Sequence, residues 1–154
     1  MNINDAWNKV GSPPYRKNPD GTVTWIDNGW KKKNIVRVST NRMNFDRTQE
    51  VYIWVNRLIE EQTYHLFKEP CWDSFVFEEW GGYVPRCQMW SFVKPLSLHA
   101  LGLAIDVNWS KFPYGGKTRF PDEIVAAIKK HGMVYGGDWK SRDNHHFEIK
   151  DLQE

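Results

Sequence analysis

From Thr48 to Lys68 the apolar residues Val51, Trp54, Val55, Leu58, Ile59 and Leu66 recur at steps of three and four. That spacing predicts a core helix with a wide apolar stripe, stopped by Pro70. A second, shorter helix is punctuated more clearly. Pro121 stands in its first turn with Asp122 and Glu123, while Ile124, Val125 and Ile128 form the inner face. Lys129 and Lys130 occupy the last turn and Gly132 follows. Acidic residues at the start and basic ones at the end complement the helix dipole.

Between and after these helices the period changes to two. Leu103 to Asn108 and His145 to Lys150 each alternate as a half-buried strand does. The first forty-odd residues hold neither period for long. Turn chemistry at Gly11-Ser-Pro-Pro14 and Asn18-Pro-Asp-Gly21 accompanies short β-like runs at Val23–Ile26 and Asn34–Val38. We therefore expect one α+β domain over residues 1–154, a small antiparallel sheet flanked by helices, in which 1–45 form an irregular aromatic N-terminal arm.

A chain of 154 residues suits one domain with a real core. Nine Trp, six Tyr and eight Phe exceed what one small core needs, so some aromatics should line a groove or a contact surface. The net charge of +2 argues neither for nucleic acid nor for an acidic membrane as the main partner, and no nucleic acid is expected. Lys31, Lys32 and Lys33 make the only basic run, read either as a solvated turn or as attraction to an anionic cell wall. No apolar run approaches the ~18 residues of a membrane span. The segment Met1 to Trp7 has neither a basic nor an apolar signal region, so synthesis in the cytoplasm without a signal peptide is expected. Cys71 and Cys87 form no CxxC pattern, and free thiols are expected there.

The candidate chemistry lies on the two strands. Strand parity puts Ala104, Asp106 and Asn108 on one side, with Leu103, Ile105 and Val107 on the other. A carboxylate on so apolar a strand is costly to bury unless it is paired or holds a cation. His99 stands seven residues earlier, an odd separation that a straight strand would send to the opposite face, and Gly102 offers a bend. In the second strand His146 and Glu148 share a face, Phe147 and Ile149 point to the core, and a regular strand would turn His145 away from His146. Two imidazoles and one carboxylate would leave a fourth tetrahedral position for water, the catalytic rather than the structural arrangement of zinc. Asp143, three residues before His146, is placed as a base, with Glu148 either its rival or a hydrogen-bonding support for a histidine.

The run Ser97-x-His-x-x-Gly-x-Ala-x-Asp106, followed by Gly136-Gly-Asp-Trp139 and Asp143-x-x-His-Phe-Glu148, resembles the D-alanyl-D-alanine carboxypeptidase/L-alanyl-D-glutamate endopeptidase family of zinc peptidases. The phage endolysin branch is the most similar, because it carries Asp-x-x-His where dipeptidase relatives carry Glu-x-x-His. The resemblance covers roughly Tyr83 to Ile149. Two departures are Tyr135, where relatives often have Trp, and His145, where Met is common.

The resemblance implies a hedgehog/D-Ala-D-Ala peptidase-like fold with the zinc site on the sheet. It implies Zn2+ held by His99, Asp106 and His146, with Asp143 as catalytic acid/base. Arg86 would steady the scissile carbonyl or a substrate carboxylate, and Ser97 would contact substrate. Peptidoglycan stem peptides are the implied partner, most specifically the L-Ala–D-Glu bond, cut by a phage-type enzyme acting on the wall after release at lysis or as part of a virion. The N-terminal arm is then a candidate for wall or virion contact. Trimming of a terminal D-Ala, a non-catalytic phage structural protein retaining the fold, and a metal-free glycan-binding module remain alternatives.

Overall fold

The computed structural model of the chain describes residues 1–152. Helix α1 (Ile3–Lys9) is capped by the Asn2 side chain, which accepts from the Asn4 amide. A short antiparallel hairpin follows, β1 (Tyr15–Lys17) with β2 (Val23–Trp25), then helix α2 (Asn28–Asn34), capped by Asp27. Residues 1–45 thus contain two helices, a hairpin and the whole of the next strand, Ile35–Met43. Trp25 and Trp30 from this region pack at 4.8 Å between ring centroids within the buried core.

Strand β3 (Ile35–Met43) pairs antiparallel with β4 (Glu50–Asn56). Here the structure corrects the long helix expected from Thr48: its first half is a strand. Val51, Ile53 and Val55 are buried while Tyr52 and Trp54 are not, which is the period-2 pattern of a pleated strand. Three β-branched residues at alternate positions favour that choice. Helix begins only after the 3-10 turn Arg57–Ile59, as α3 (Glu60–Lys68). Trp54 and Leu58, read as part of a buried stripe, are 51% and 48% exposed.

A four-stranded antiparallel sheet carries the second half, in the order β5 (Trp80–Gly81), β6 (Ala104–Val107), β8 (His146–Ile149), β7 (Met133–Tyr135). Helix α4 (Asp122–Lys130) packs against β7 with Ile124, Val125, Ala127 and Ile128 buried. The mixed α+β class with small antiparallel sheets is therefore present, with four helices among the described residues.

The aromatic core fixes which way β8 faces. Phe147 is fully buried, with ring centroids 6.2 Å from Phe67, 6.3 Å from Phe120 and 6.4 Å from Trp72. Seating such a ring stabilises the fold by roughly 1.5–3 kcal/mol. Alternation along the strand then turns both neighbours of Phe147, His146 and Glu148, to the other face. Cys71 and Cys87 are free thiols, the second of them buried. Among the described residues no helix is long and apolar enough to cross a membrane.

Candidate metal centre and cleft

Asp106 and His146 are direct partners across the β6–β8 ladder, so their side chains emerge side by side on one face. His99 reaches the same point from a 3-10 turn, Leu98–Leu101, that runs into β6. The Ser97 side chain accepts from the His99 amide and caps that turn. Gly102 ends it with φ +71°, and an added Cβ there would stand 2.5 Å from the Asn56 nitrogen and 2.8 Å from Ile35 Cδ1. The bend that carries His99 to the face of Asp106 therefore requires glycine, through both its left-handed backbone and the close approach of β3 and β4.

The three side chains offer donor atoms that all lie within 4.8 Å of one another. His99 Nε2 is 3.0 Å from Asp106 Oδ2 and 3.2 Å from His146 Nδ1, and His146 Nδ1 is 2.9 Å from Asp106 Oδ1. The far nitrogens of both rings are engaged. His99 Nδ1 is 2.7 Å from the Gly82 carbonyl, and His146 Nε2 is 2.8 Å from Glu148 Oε1. A carbonyl or a carboxylate can only accept, so each outer nitrogen carries the proton and each neutral ring turns a lone pair inward. Two inward lone pairs and a carboxylate, with both tautomers fixed from behind, are a donor set that fits a divalent transition metal such as zinc.

The electrostatics of the metal-free site agree. Burial pushes the Asp106 carboxyl up, but His99 and His146 more than offset it and hold it well below the usual carboxylate range. Burial likewise opposes charge on His146, yet its hydrogen bonds to Asp106 and Glu148 prevail and its pKa is pushed up to about 10. Without metal, a proton on His146 occupies the place a cation would take.

Asp143 Oδ2 lies 3.9 Å from His146 Nδ1, and its buried Oδ1, 3.2 Å from His145 Nε2, makes no well-aligned hydrogen bond. A carboxylate beside such a donor set can accept a proton from something bound there. Arg86 lines the same cleft, donates to the Cys87 carbonyl and lies 5.3 Å from the Trp90 ring centroid. Burial lowers its pKa, an effect opposed by the charges of Asp106 and Asp143. Ser97 lines the cleft too, with its hydroxyl oxygen engaged by the His99 amide.

The cleft has a volume of about 560 Å³, and His99, His146, Asp143, Arg86, Ser97 and Glu148 all border it. Sequence reasoning missed several of its other walls. His145 does not turn away, because β8 begins only at His146. The His145 ring lines the cleft with Nδ1 2.9 Å from the Phe112 carbonyl and Nε2 3.2 Å from Asp143 Oδ1. Trp139, from the Gly-Gly-Asp-Trp run, packs on His146 at 5.3 Å, and Trp90 and Tyr114 complete an aromatic rim. The surplus of tryptophan was the available signal for the rim. Nothing local marked the Gly82 carbonyl as the group that orients His99.

Residues 93–149 match the family described as D-alanyl-D-alanine carboxypeptidase. The matched span includes Ser97, His99, Asp106, Asp143, His146 and Glu148, whereas Gly82 and Arg86 precede it. No curated protein and no solved structure matches the chain.

Proposed function

We propose that this chain is a zinc-dependent peptidase of peptidoglycan stem peptides that cuts the L-Ala–D-Glu bond, as a phage-type wall-lytic enzyme acting after release at lysis or from a virion. One observation carries the reading: His99 and His146, whose donor atoms converge with those of Asp106, border one cleft with the carboxylate of Asp143. The family match supports peptidase chemistry on peptidoglycan in general. The Asp143-x-x-His146 form supports the endopeptidase choice within it.

His99, Asp106 and His146 would hold zinc, which when bound would polarise a carbonyl as a Lewis acid and lower the pKa of water from roughly 15.7 toward ~7. The chain's own residues do the rest. Asp143 takes one proton from the attacking water as its oxygen bonds to the scissile carbonyl carbon. It then gives that proton to the leaving nitrogen as the C–N bond breaks, and the second proton of the water passes from the new carboxylic acid to the amine, leaving a carboxylate and an ammonium. Such general base and acid work contributes about 10²–10⁴-fold. Arg86 faces the negative charge that develops on the carbonyl oxygen, or a carboxylate of the substrate. Glu148, on the outer nitrogen of His146, holds the ring rather than the water.

The test is incubation of zinc-loaded protein with defined stem peptides, with and without chelator, and identification of products by mass spectrometry. A chelator-sensitive cut between L-Ala and D-Glu is expected. Release of a terminal D-Ala instead would make the chain a carboxypeptidase, the reading that the description of the matched family favours. Absence of any cleavage would overturn the enzyme reading and leave a zinc-holding structural protein.

A further inference from the structure

Away from the cleft, Lys31, Lys32, Ile35, Trp54 and Tyr83 line a groove of about 670 Å³, and none of these residues borders the cleft. The two lysines come from the last turn of α2, and no acidic side chain is among the lining residues. Trp54 stands on the outward face of β4, directly across the ladder from Arg37. Antiparallel partners share a face, but the Arg37 guanidinium lies over Tyr52 and leaves the indole uncovered. The neighbouring rings are already covered by cations: Lys31 Nζ lies 5.4 Å from the Tyr83 centroid, and the Arg37 guanidinium 4.1 Å from that of Tyr52. Trp54 has no aromatic or cationic partner among the described residues. Its flat face is open to solvent although burying an indole would have stabilised the fold.

One free aromatic face beside two lysines selects a partner with two features. A flat, weakly polar ring face must meet the indole, and anionic groups must repeat alongside it for the ammonium groups. A single-stranded nucleic acid offers both, but its binding sites stack successive bases on several free rings within a broad basic surface. Here the only other ring among the groove's lining residues, Tyr83, is capped by Lys31, and the net charge of the chain is only +2. A sugar chain needs one platform per site, and phosphodiesters supply the charge.

We propose that this groove binds a phosphodiester-bearing glycan polymer of the cell wall. Wall as the source of the polymer rests on the peptidase reading above; the chemistry of the ligand does not. Tyr83 of the groove directly follows Gly82, whose carbonyl orients His99. A polymer seated on the groove therefore keeps the cleft beside the wall, and tethering of this kind raises the local concentration of stem peptides without any new contact in the cleft.

The test is cosedimentation of the zinc-loaded full chain, in the cold and before detectable cleavage, with two preparations of Gram-positive sacculi. One is intact and the other has lost its phosphodiester polymers to hydrofluoric acid. Stripping is expected to weaken binding by about tenfold or more, and Trp54→Ala and the double change Lys31→Gln with Lys32→Gln should each do so by about tenfold, near 1.4 kcal/mol. Both variants should cut soluble stem peptides as the unchanged chain does, since these side chains lie outside the cleft. Equal binding to stripped and intact walls, or variants that bind intact walls undiminished, would overturn the proposal. Tighter binding to poly(U) than to intact walls would overturn it in favour of nucleic acid. If no stem peptide is cut while wall binding follows the expected pattern, the peptidase reading fails and the groove stands.

Discussion

Glu148 Oε1 lies 2.8 Å from His146 Nε2, on the edge of the imidazole opposite the nitrogen that faces Asp106. A carboxylate in that place fixes the tautomer and ring angle of a ligand histidine without touching the reacting atoms. Glu148→Ala should therefore weaken zinc binding by roughly 10–100-fold and leave turnover at saturating zinc near that of the unchanged chain. Competition with a chromophoric chelator measures the first effect and peptide cleavage the second. A deep loss of turnover that persists at saturating zinc would make Glu148 the base.

Asp143 should show the reverse pattern. Its oxygens are not among the three donors that converge, although it borders the same cleft. Asp143→Ala is expected to keep full zinc content and lose about 10²–10⁴-fold in turnover. Metal analysis alongside stem-peptide kinetics decides the matter, and near-full activity would remove Asp143 from the mechanism.

Stability should depend on pH differently with and without metal. In the metal-free fold the pKa of His146 stands at about 10, above its ordinary 6.5. A group whose pKa is raised on folding stabilises fully below its unfolded pKa and loses that contribution as pH rises through the folded value. The metal-free protein should thus melt at progressively lower temperature from pH ~6.5 toward ~10. Asp106, held low, works in the opposite sense: its contribution is present above the usual carboxylate pKa and is lost as pH falls through its depressed folded value. Zinc requires the inward nitrogen of His146 free of its proton, so the loaded protein should not share the alkaline loss. Thermal unfolding across pH 6.5 to 9, with zinc or with chelator, should show the two Tm values diverging, and parallel curves would contradict it.

Gly102→Ala tests the bend. A side chain at φ +71° is strained, and the new Cβ meets the Asn56 nitrogen and Ile35 Cδ1 at 2.5 and 2.8 Å. The expected cost is about 1–3 kcal/mol or more of stability, read from urea unfolding of the metal-free chain. Weaker zinc binding should accompany it, because the displaced turn carries His99. An unchanged urea midpoint would show that the turn relaxes without strain.

Much of the second half of the fold was readable because its signals are local. The charges and glycine around α4 mark its ends within a residue or two, and alternation marks β6 and β8. The first half was harder. Between Val51 and Ile59 the apolar positions satisfy steps of two, three and four at once. Only the partner strand Ile35–Met43, a contact remote in sequence, decides that Trp54 faces out. The site divides in the same way. The donor residues could be named from spacing and resemblance, whereas the Gly82 carbonyl, the inward turn of His145 and the aromatic rim depend on where the chain returns to itself.

The Gly82 carbonyl has a consequence for what counts as the working unit of this protein. The 57-residue stretch from 93 to 149 that resembles known peptidases contains every donor atom of the centre. The carbonyl that aims His99 comes from β5's flank, and an added Cβ on Gly82 would collide with the backbone carbonyl of Trp54. The hairpin β3–β4 is thus the buttress against which a ligand histidine is set. A fragment cut to the borders of the matched span would keep all three donor residues and lose the scaffolding that points one of them. The likeness to a known family covers a shorter length of this chain than its architecture needs, and any trimming for engineering should follow the architecture.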